Sequence, residues 1–301
     1  MKRLIMLFMG LSLAGCGSLE PSSLKQVDTK QRTEGDIEAF VHWPDQVKET
    51  SGLSYGAGQL WTINDSGDGP ILYGIDKKNQ VSKVVHVEGA ENIDWEELAQ
   101  DEHYLYIADC GNNRGDRDRL QIYKVLWSEL RQVVTGGSVP SEKIVFSYAD
   151  KEGEVNKYAH NFDCEALTIV NGKLWLFTKN RGDKQTKLYL LDTKSVEQEI
   201  SPVASYPVEG LITAADYDHQ RKRLVLLGYQ KGVILGQSFI WTMPVNGLPG
   251  WDHAKKVVLK PFAQWEAILW DPKGKDGELL LTSEKNPLLD VGIGILRLSE
   301  N

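Results

Sequence analysis

The chain has 301 residues, a formal net charge of −8 at neutral pH, 41% hydrophobic residues and 25% charged residues. That balance belongs to a folded globular protein and excludes disordered and collagen-like classes. The acidic excess, with no stripe of Lys and Arg interleaved with aromatics, argues against a nucleic-acid partner.

The first predicted element is not part of a fold. Lys2 and Arg3 precede "LIMLFMGLSL", an apolar run too short to span a membrane as a helix, and "LAGC" follows, ending at Cys16. This is the pattern of a bacterial lipoprotein signal, with residues 1–15 removed and Cys16 lipidated. Gly17 rather than Asp comes next, which by its resemblance to known sorting signals points to the outer membrane, periplasm-facing or at the cell surface. Several acyl chains give firm anchoring, so membrane contact is expected through the N-terminal lipid only. Residues 16–35 are polar and without apolar period, and read as a tether. Residues 36–301 form the predicted domain.

Within that domain, short runs rich in Val, Ile, Leu, Tyr and Trp alternate with Gly, Asp, Asn and Lys turns, the pattern of antiparallel strands. Five segments align with one another: "TSGLSY" at Thr50, "WEELAQ" at Trp95, "CEALTI" at Cys164, "ITAADY" at Ile212 and "WEAILW" at Trp265. Each is followed by a second strand, as in "YLYIADC" and "KLWLFTK", and a third, as in "LQIYKV" and "KLYLLD". The first four units add a fourth, as in "KIVFSYA" and "KKVVLK". Four antiparallel strands repeated around a circle make a β-propeller. The aligned positions Ser51, Glu96, Glu165, Thr213 and Glu266 differ by 45, 69, 48 and 53 residues on subtracting their numbers. The longest interval implies an insertion around "EGEVNKYAHN". The last unit lacks a fourth strand, and "DIEAFVHW" at Asp36 is spare, so the N-terminal strand is expected to close the ring. The fold class is therefore all-β, a single β-propeller of four-stranded blades. Five blades are favoured; six, with one unrecognised in the long interval, is the alternative.

The aligned column carries the chemistry. In a propeller the first strand of each blade lines the central channel, and its start meets the end of the second strand at one mouth. Glu96, Glu165 and Glu266 should therefore converge with Asp65, Asp109, Asn112, Asn180 and Glu284. Carboxylates that close repel and raise one another's pKa. A hard cation such as Ca²⁺, which takes six to eight oxygens, would offset this, and its expected ligands are Glu96, Glu165, Glu266, Asp65 and Asp109. Internal pairing with Arg114, Lys179, Arg181 or Lys285 is the competing reading. Cys110 ends one second strand and Cys164 opens the next inner strand, so both belong near the same mouth, where a disulfide is open to them. The six His show no metal spacing; His160 alone falls near the mouth, and a surface role is expected for it. Trp61, Trp95, Trp175, Trp241 and Trp265 fall on strands and are expected between blades.

The stretches "ETSGLSYGAGQLWTINDSGDGPILYGID", "NIDWEELAQDEHYLYIADCGNNRGDRDRLQIYKV" and "ITAADYD" resemble a group of secreted bacterial propeller proteins with S-G-L, N-D-S-G, D-W-E-D-[IL]-A and G-D-[IC]-G-D-N signatures. Here Glu97 replaces the usual second Asp, and "ADCGNN" replaces the last signature, leaving Asp109 and Asn112 of its acidic cluster. More distantly the chain is similar to regucalcin/gluconolactonase-like and calcium-dependent nucleotidase propellers, which hold a metal at the channel mouth. The resemblance assigns no settled activity. With no complete catalytic set in view, the first functional reading is a lipid-anchored binding or scaffold module of the cell envelope, its partner an envelope protein or a small molecule. The second is a Ca²⁺-dependent hydrolase of lactones or phosphoesters, with Asp109 or Glu165 as candidate base.

Overall fold

The computed structural model describes residues 33–232, 236–274, 277–285 and 289–298. The expected signal peptide, Cys16 and most of the tether lie outside these residues. The protein is all-β, with one six-residue α-helix and one short 3-10 turn among the described residues. No helix of the described residues is long and apolar enough to cross a membrane.

The strands form sheets of nine, five, four and five strands among the described residues, and within them the antiparallel pairings mark out five runs of four strands, two of them joined in the nine-stranded sheet. Their inner strands are Thr50–Gly56, Trp95–Gln100, Cys164–Val170, Leu211–Asp218 and Trp265–Trp270, each starting within a residue of its aligned sequence segment. Second strands end at Asn64, Asp109, Thr178, Gln230 and Ser283. The ring is a β-propeller closed as the spare strand suggested. Thr33–His42 runs antiparallel to Gly292–Arg297, with Ile37 opposite Leu296, and supplies the fourth strand of the last unit. Its start, Thr33 to Asp36, runs parallel to Val257–Lys260 of the fourth unit. The strand thus begins ahead of Asp36, because pairing with a segment far away in sequence orders residues that look like tether locally.

Five apolar clusters sit between the units, one to each neighbouring pair. Trp61 and Trp95 share the cluster of units one and two, Trp175 and Trp241 that of units three and four, and Trp265 that of units four and five. All five indoles are nearly or wholly buried. Gly52 of the S-G-L stretch allows the first two inner strands to meet, since a Cβ there would lie 2.4 Å from the Leu98 backbone nitrogen.

The long interval holds two insertions. Residues 149–163 form the expected loop, but the helix Trp127–Gln132 and the strand Ser138–Pro140 also fall within it. Ser138–Pro140 pairs in parallel with the outer strand Val81–Glu88 of unit one. Glu197–Ile200 does the same for Glu142–Tyr148 of unit two. Covering outer edges with segments of the following unit removes pairing sites for other chains.

A disulfide joins Cys110 to Cys164, with Cα atoms 5.4 Å apart. It ties the end of a second strand in unit two to the start of the inner strand in unit three.

Candidate functional site: an acidic channel mouth

The aligned column divides into two kinds of position. Ser51 donates its hydroxyl to the Glu96 carbonyl at 2.6 Å, and Thr213 donates to the Trp265 carbonyl at 3.2 Å. Each thereby ties its inner strand to the next. The other three positions place Glu96, Glu165 and Glu266 at the mouth. Glu96 and Glu165 are buried and Glu266 is half-buried.

Glu165 holds Lys179, which reaches its Oε2 at 2.7 Å. Its other oxygen, Oε1, is buried and has no hydrogen-bond partner. On the neighbouring units, one oxygen each from Asp65, Asp94 and Glu96 lies within 4.8 Å of the other two. Gly111 closes over this group: a Cβ there would lie 2.2 Å from Glu96 Oε1 and 2.4 Å from Asp94 Oδ2. Only glycine permits the loop after that second strand to approach the carboxylates so closely. Among the described residues no other group of carboxylates, His or Cys meets the same closeness.

The electrostatics follow from crowding in a dry place. Burial, then Glu165, Asp65 and Asp94, pushes the Glu96 carboxyl well above the usual range. Burial and then Asp65 and Glu165 push Asp94 up to about 7. Burial raises Glu266 to about 7 against the pull of Lys179, and burial with Glu266, Asp65 and Glu49 raises Glu284 to about 8. Asp65 and Glu165 are also raised, chiefly by burial. Burial works to lower Lys179, but Glu165, Tyr229, Glu266 and Glu96 hold its ammonium well above its ordinary value. Six mutually repelling carboxyls therefore share one buried ammonium, and internal pairing answers only part of their charge.

Asp109 stands apart from this group in its commitments. Its Oδ1 accepts from the Asp94 backbone N–H at 3.0 Å and from Arg117 at 3.2 Å, and its Oδ2 accepts from Gln121 at 2.6 Å. Both oxygens are thus committed, Oδ1 to the Asp94 backbone and Arg117 and Oδ2 to Gln121. The Asn180 side chain accepts from Thr178 Oγ1 and donates to Asp183, and Asn112 bridges Arg117 and Phe162. Arg181 is engaged by Asp163 and Asn113. His160, expected at the surface, is buried at 5% exposure; its Nδ1 accepts from the Phe162 N–H and its Nε2 lies 3.2 Å from the Asn113 carbonyl. Sequence reasoning missed Asp94 as a site residue. The signal was available: Asp94 and Glu96 are two apart, which puts them on one face of an extended chain.

Raised carboxyl pKa values fix the sign of the pH response. Groups that bind protons more tightly in the native state stabilise it below the unfolded carboxylate range, and that contribution is lost as pH rises through the native values. With Asp94 and Glu266 near 7 and Glu284 near 8, chelator-treated protein is expected to lose stability steadily between pH 5 and pH 8. Thermal unfolding across this window in the presence of chelator reads it; a flat profile would contradict the electrostatic picture.

No family model matches the chain, and no curated protein sequence matches it. Among solved structures it is similar to the Kuenenia stuttgartiensis hydrazine synthase, 14% identical over 83% of this chain and 60% of that one, with a TM-score of 0.43. The chain thus spans about three-fifths of that structure's length. It is also similar to a chain of a mitotic checkpoint complex, 10% identical over 88% of this chain and 96% of that one, TM-score 0.43. A third is a 6-phosphogluconolactonase-like protein of Bacteroides uniformis, 11% identical over 80% and 64% of the two chains, TM-score 0.39. These likenesses concern the course of the chain, and no residue of the mouth is carried over from them.

Proposed function

We propose that this chain is a lipid-anchored binding module of the cell envelope that holds a Ca²⁺ ion at its channel mouth. The observation that supports it best is the group of Asp65, Asp94 and Glu96, whose oxygens lie within 4.8 Å of one another, with the charge of the buried Glu165 acting on Glu96 and Asp94. A buried carboxylate oxygen left unmatched is costly, and an oxygen-only donor set suits a hard cation. Asp65, Asp94, Glu96 and Glu165 would hold the ion, with Glu266 and Glu284 adding to the negative field. Asp94 takes the place that Asp109 held in the sequence reading. The ion would supply positive charge at the mouth, where an oxygen-bearing partner or small molecule could reach it.

The envelope setting rests on the signal pattern ending at Cys16, and a disulfide fits an oxidising compartment. Hydrolysis of lactones or phosphoesters stands second. Asp109 is already committed, and Glu96 and Glu165 are 6% and 2% exposed, which suits an ion better than a substrate beside them.

Metal bound only to the native state raises the melting temperature with saturation. Ca²⁺ is therefore expected to raise the melting temperature of the wild type and chelator to lower it. Glu165→Gln and Glu96→Gln should each weaken that response while leaving the circular dichroism spectrum unchanged. An unchanged melting temperature on adding Ca²⁺, with both variants folded, would remove the proposal.

A further inference from the structure

The acidic mouth has a basic neighbour. On the same face, at the rim between units three and four, lies a cavity of about 350 Å³. Arg181 and Lys184 reach it from the turn after the second strand of unit three, and Glu209 from just ahead of the inner strand of unit four. Tyr229 and Lys231 come from the end of the second strand of unit four, and Tyr158 from the 149–163 loop.

Two of the charges on this lining are already matched, Glu209 by Lys256 at 3.1 Å and Arg181 by Asp163. Lys184 and Lys231 remain. Both are exposed, and neither pairs with a carboxylate among the described residues; Lys184 Nζ donates to the Arg181 carbonyl at 2.9 Å. The cavity therefore presents two ammoniums without a counter-charge, in a chain whose net charge is −8.

The lining is also built at a conformational cost. Tyr158, Lys184 and Glu209 have φ values of 65°, 60° and 57°. This left-handed region is disfavoured for residues that carry a Cβ and is ordinarily filled by Gly or Asn. Such backbone gathers where ligands are held. Lys184 is fixed in it on both sides: its N–H donates to the Asn180 carbonyl at 3.1 Å, and its carbonyl accepts from the Gly210 N–H at 3.2 Å. Glycine would make this turn more easily, so what lysine adds at 184 is its charge.

Two ammoniums select a compact anion, and lysine receives carboxylate and phosphate oxygens alike. Tyr158, 64% exposed, and the half-buried Tyr229 add aromatic surface, which suits an organic frame better than a bare ion. The volume lies at the lower end of small-molecule sites and fits one ring. We infer that this rim cavity binds a small aromatic anion, its carboxylate or phosphate meeting Lys184 and Lys231 and its ring lying against Tyr158 and Tyr229. The Tyr229 ring centroid is 5.8 Å from Lys179 Nζ, which sets the cavity next to the acidic mouth. The two lysines act without the proposed cation.

The test is calorimetric titration of the full-length protein in detergent with chelator present, so that this inference and the cation reading fail separately. The probes are benzoate and phenyl phosphate, with benzamide as a neutral molecule of benzoate's size and inorganic phosphate as the bare anion. Benzoate or phenyl phosphate is expected to bind saturably in the millimolar range, at least about tenfold more tightly than benzamide and inorganic phosphate. Lys184→Gly removes the charge where the backbone favours glycine. It should hold or raise the melting temperature while weakening binding at least about tenfold. Lys231→Gln should weaken binding likewise. The inference is overturned if neither aromatic anion binds, if benzamide or inorganic phosphate binds as tightly as they do, or if binding survives Lys184→Gly and Lys231→Gln together.

Discussion

Replacing Glu97 with alanine is expected to cost about 3–5 kcal/mol of folding stability, although the residue is not among the carboxylates proposed to hold the cation. Glu97 is fully buried. Its Oε1 accepts from the Leu98 N–H at 2.9 Å and its Oε2 from the Ala215 N–H at 3.2 Å, and the Leu53 N–H also faces it. One side chain on unit two therefore ties the inner strands of units one and four across the channel. Burial pushes its carboxyl well above the usual range while those three N–H groups oppose the rise. Alanine would leave the three donors buried and unmet, at about 1–3 kcal/mol each before relaxation. Glu97→Gln keeps one acceptor oxygen and should lose less. Denaturant unfolding of both variants measures this, and a loss below about 1 kcal/mol for the alanine variant would show that the tie is dispensable.

The second large effect concerns the disulfide. Cys110 and Cys164 close a loop with a sequence separation of 54. Loop-closure entropy for that length gives about 4 kcal/mol of stabilisation, which for a domain of this size is a fall of roughly 10 °C in melting temperature on removal. Cys110→Ala with Cys164→Ala is the suitable variant, because both sulfurs are buried at 0% exposure and alanine introduces no polar atom. The disulfide also anchors the strand end that leads to Gly111, whose approach shapes the Asp94 and Glu96 pair. The double variant should therefore also bind Ca²⁺ more weakly. A melting temperature unchanged by the substitution would place the stability of this seam in the apolar cluster around Leu167 and Leu176 instead.

The architecture was legible because each strand carries its signal locally. The runs "QLWTIN" and "KLWLFT" could be read from β-branched and aromatic residues bounded by turns. The column of Glu96, Glu165 and Glu266 was legible because repetition aligns positions that the chain separates widely. What stayed hidden depends on partners remote in sequence. Thr33 to Asp36 look like tether until Val257–Lys260 pairs with them. Ser138–Pro140 is a strand only because Val81–Glu88 offers an edge. The helix Trp127–Gln132 is too short to show a period, and Trp127 and Leu130 alone mark its buried side. Asp109 looked free beside "GNNRGD", but Arg117 folds back eight residues to neutralise it. Asp94 was passed over because it precedes the strand and breaks the column by two positions.

The most direct measurement of the central claim is calorimetric titration of Ca²⁺ into chelator-treated full-length protein in detergent at pH 8, above the values of about 7 at Asp94 and Glu266. The expected result is one saturable site per chain, weakened at least about tenfold by Glu96→Gln and by Glu165→Gln. Absence of saturable heat in the wild type, or affinity unchanged in both glutamine variants, would mean that the carboxylates of the mouth are balanced by Lys179 and solvent alone.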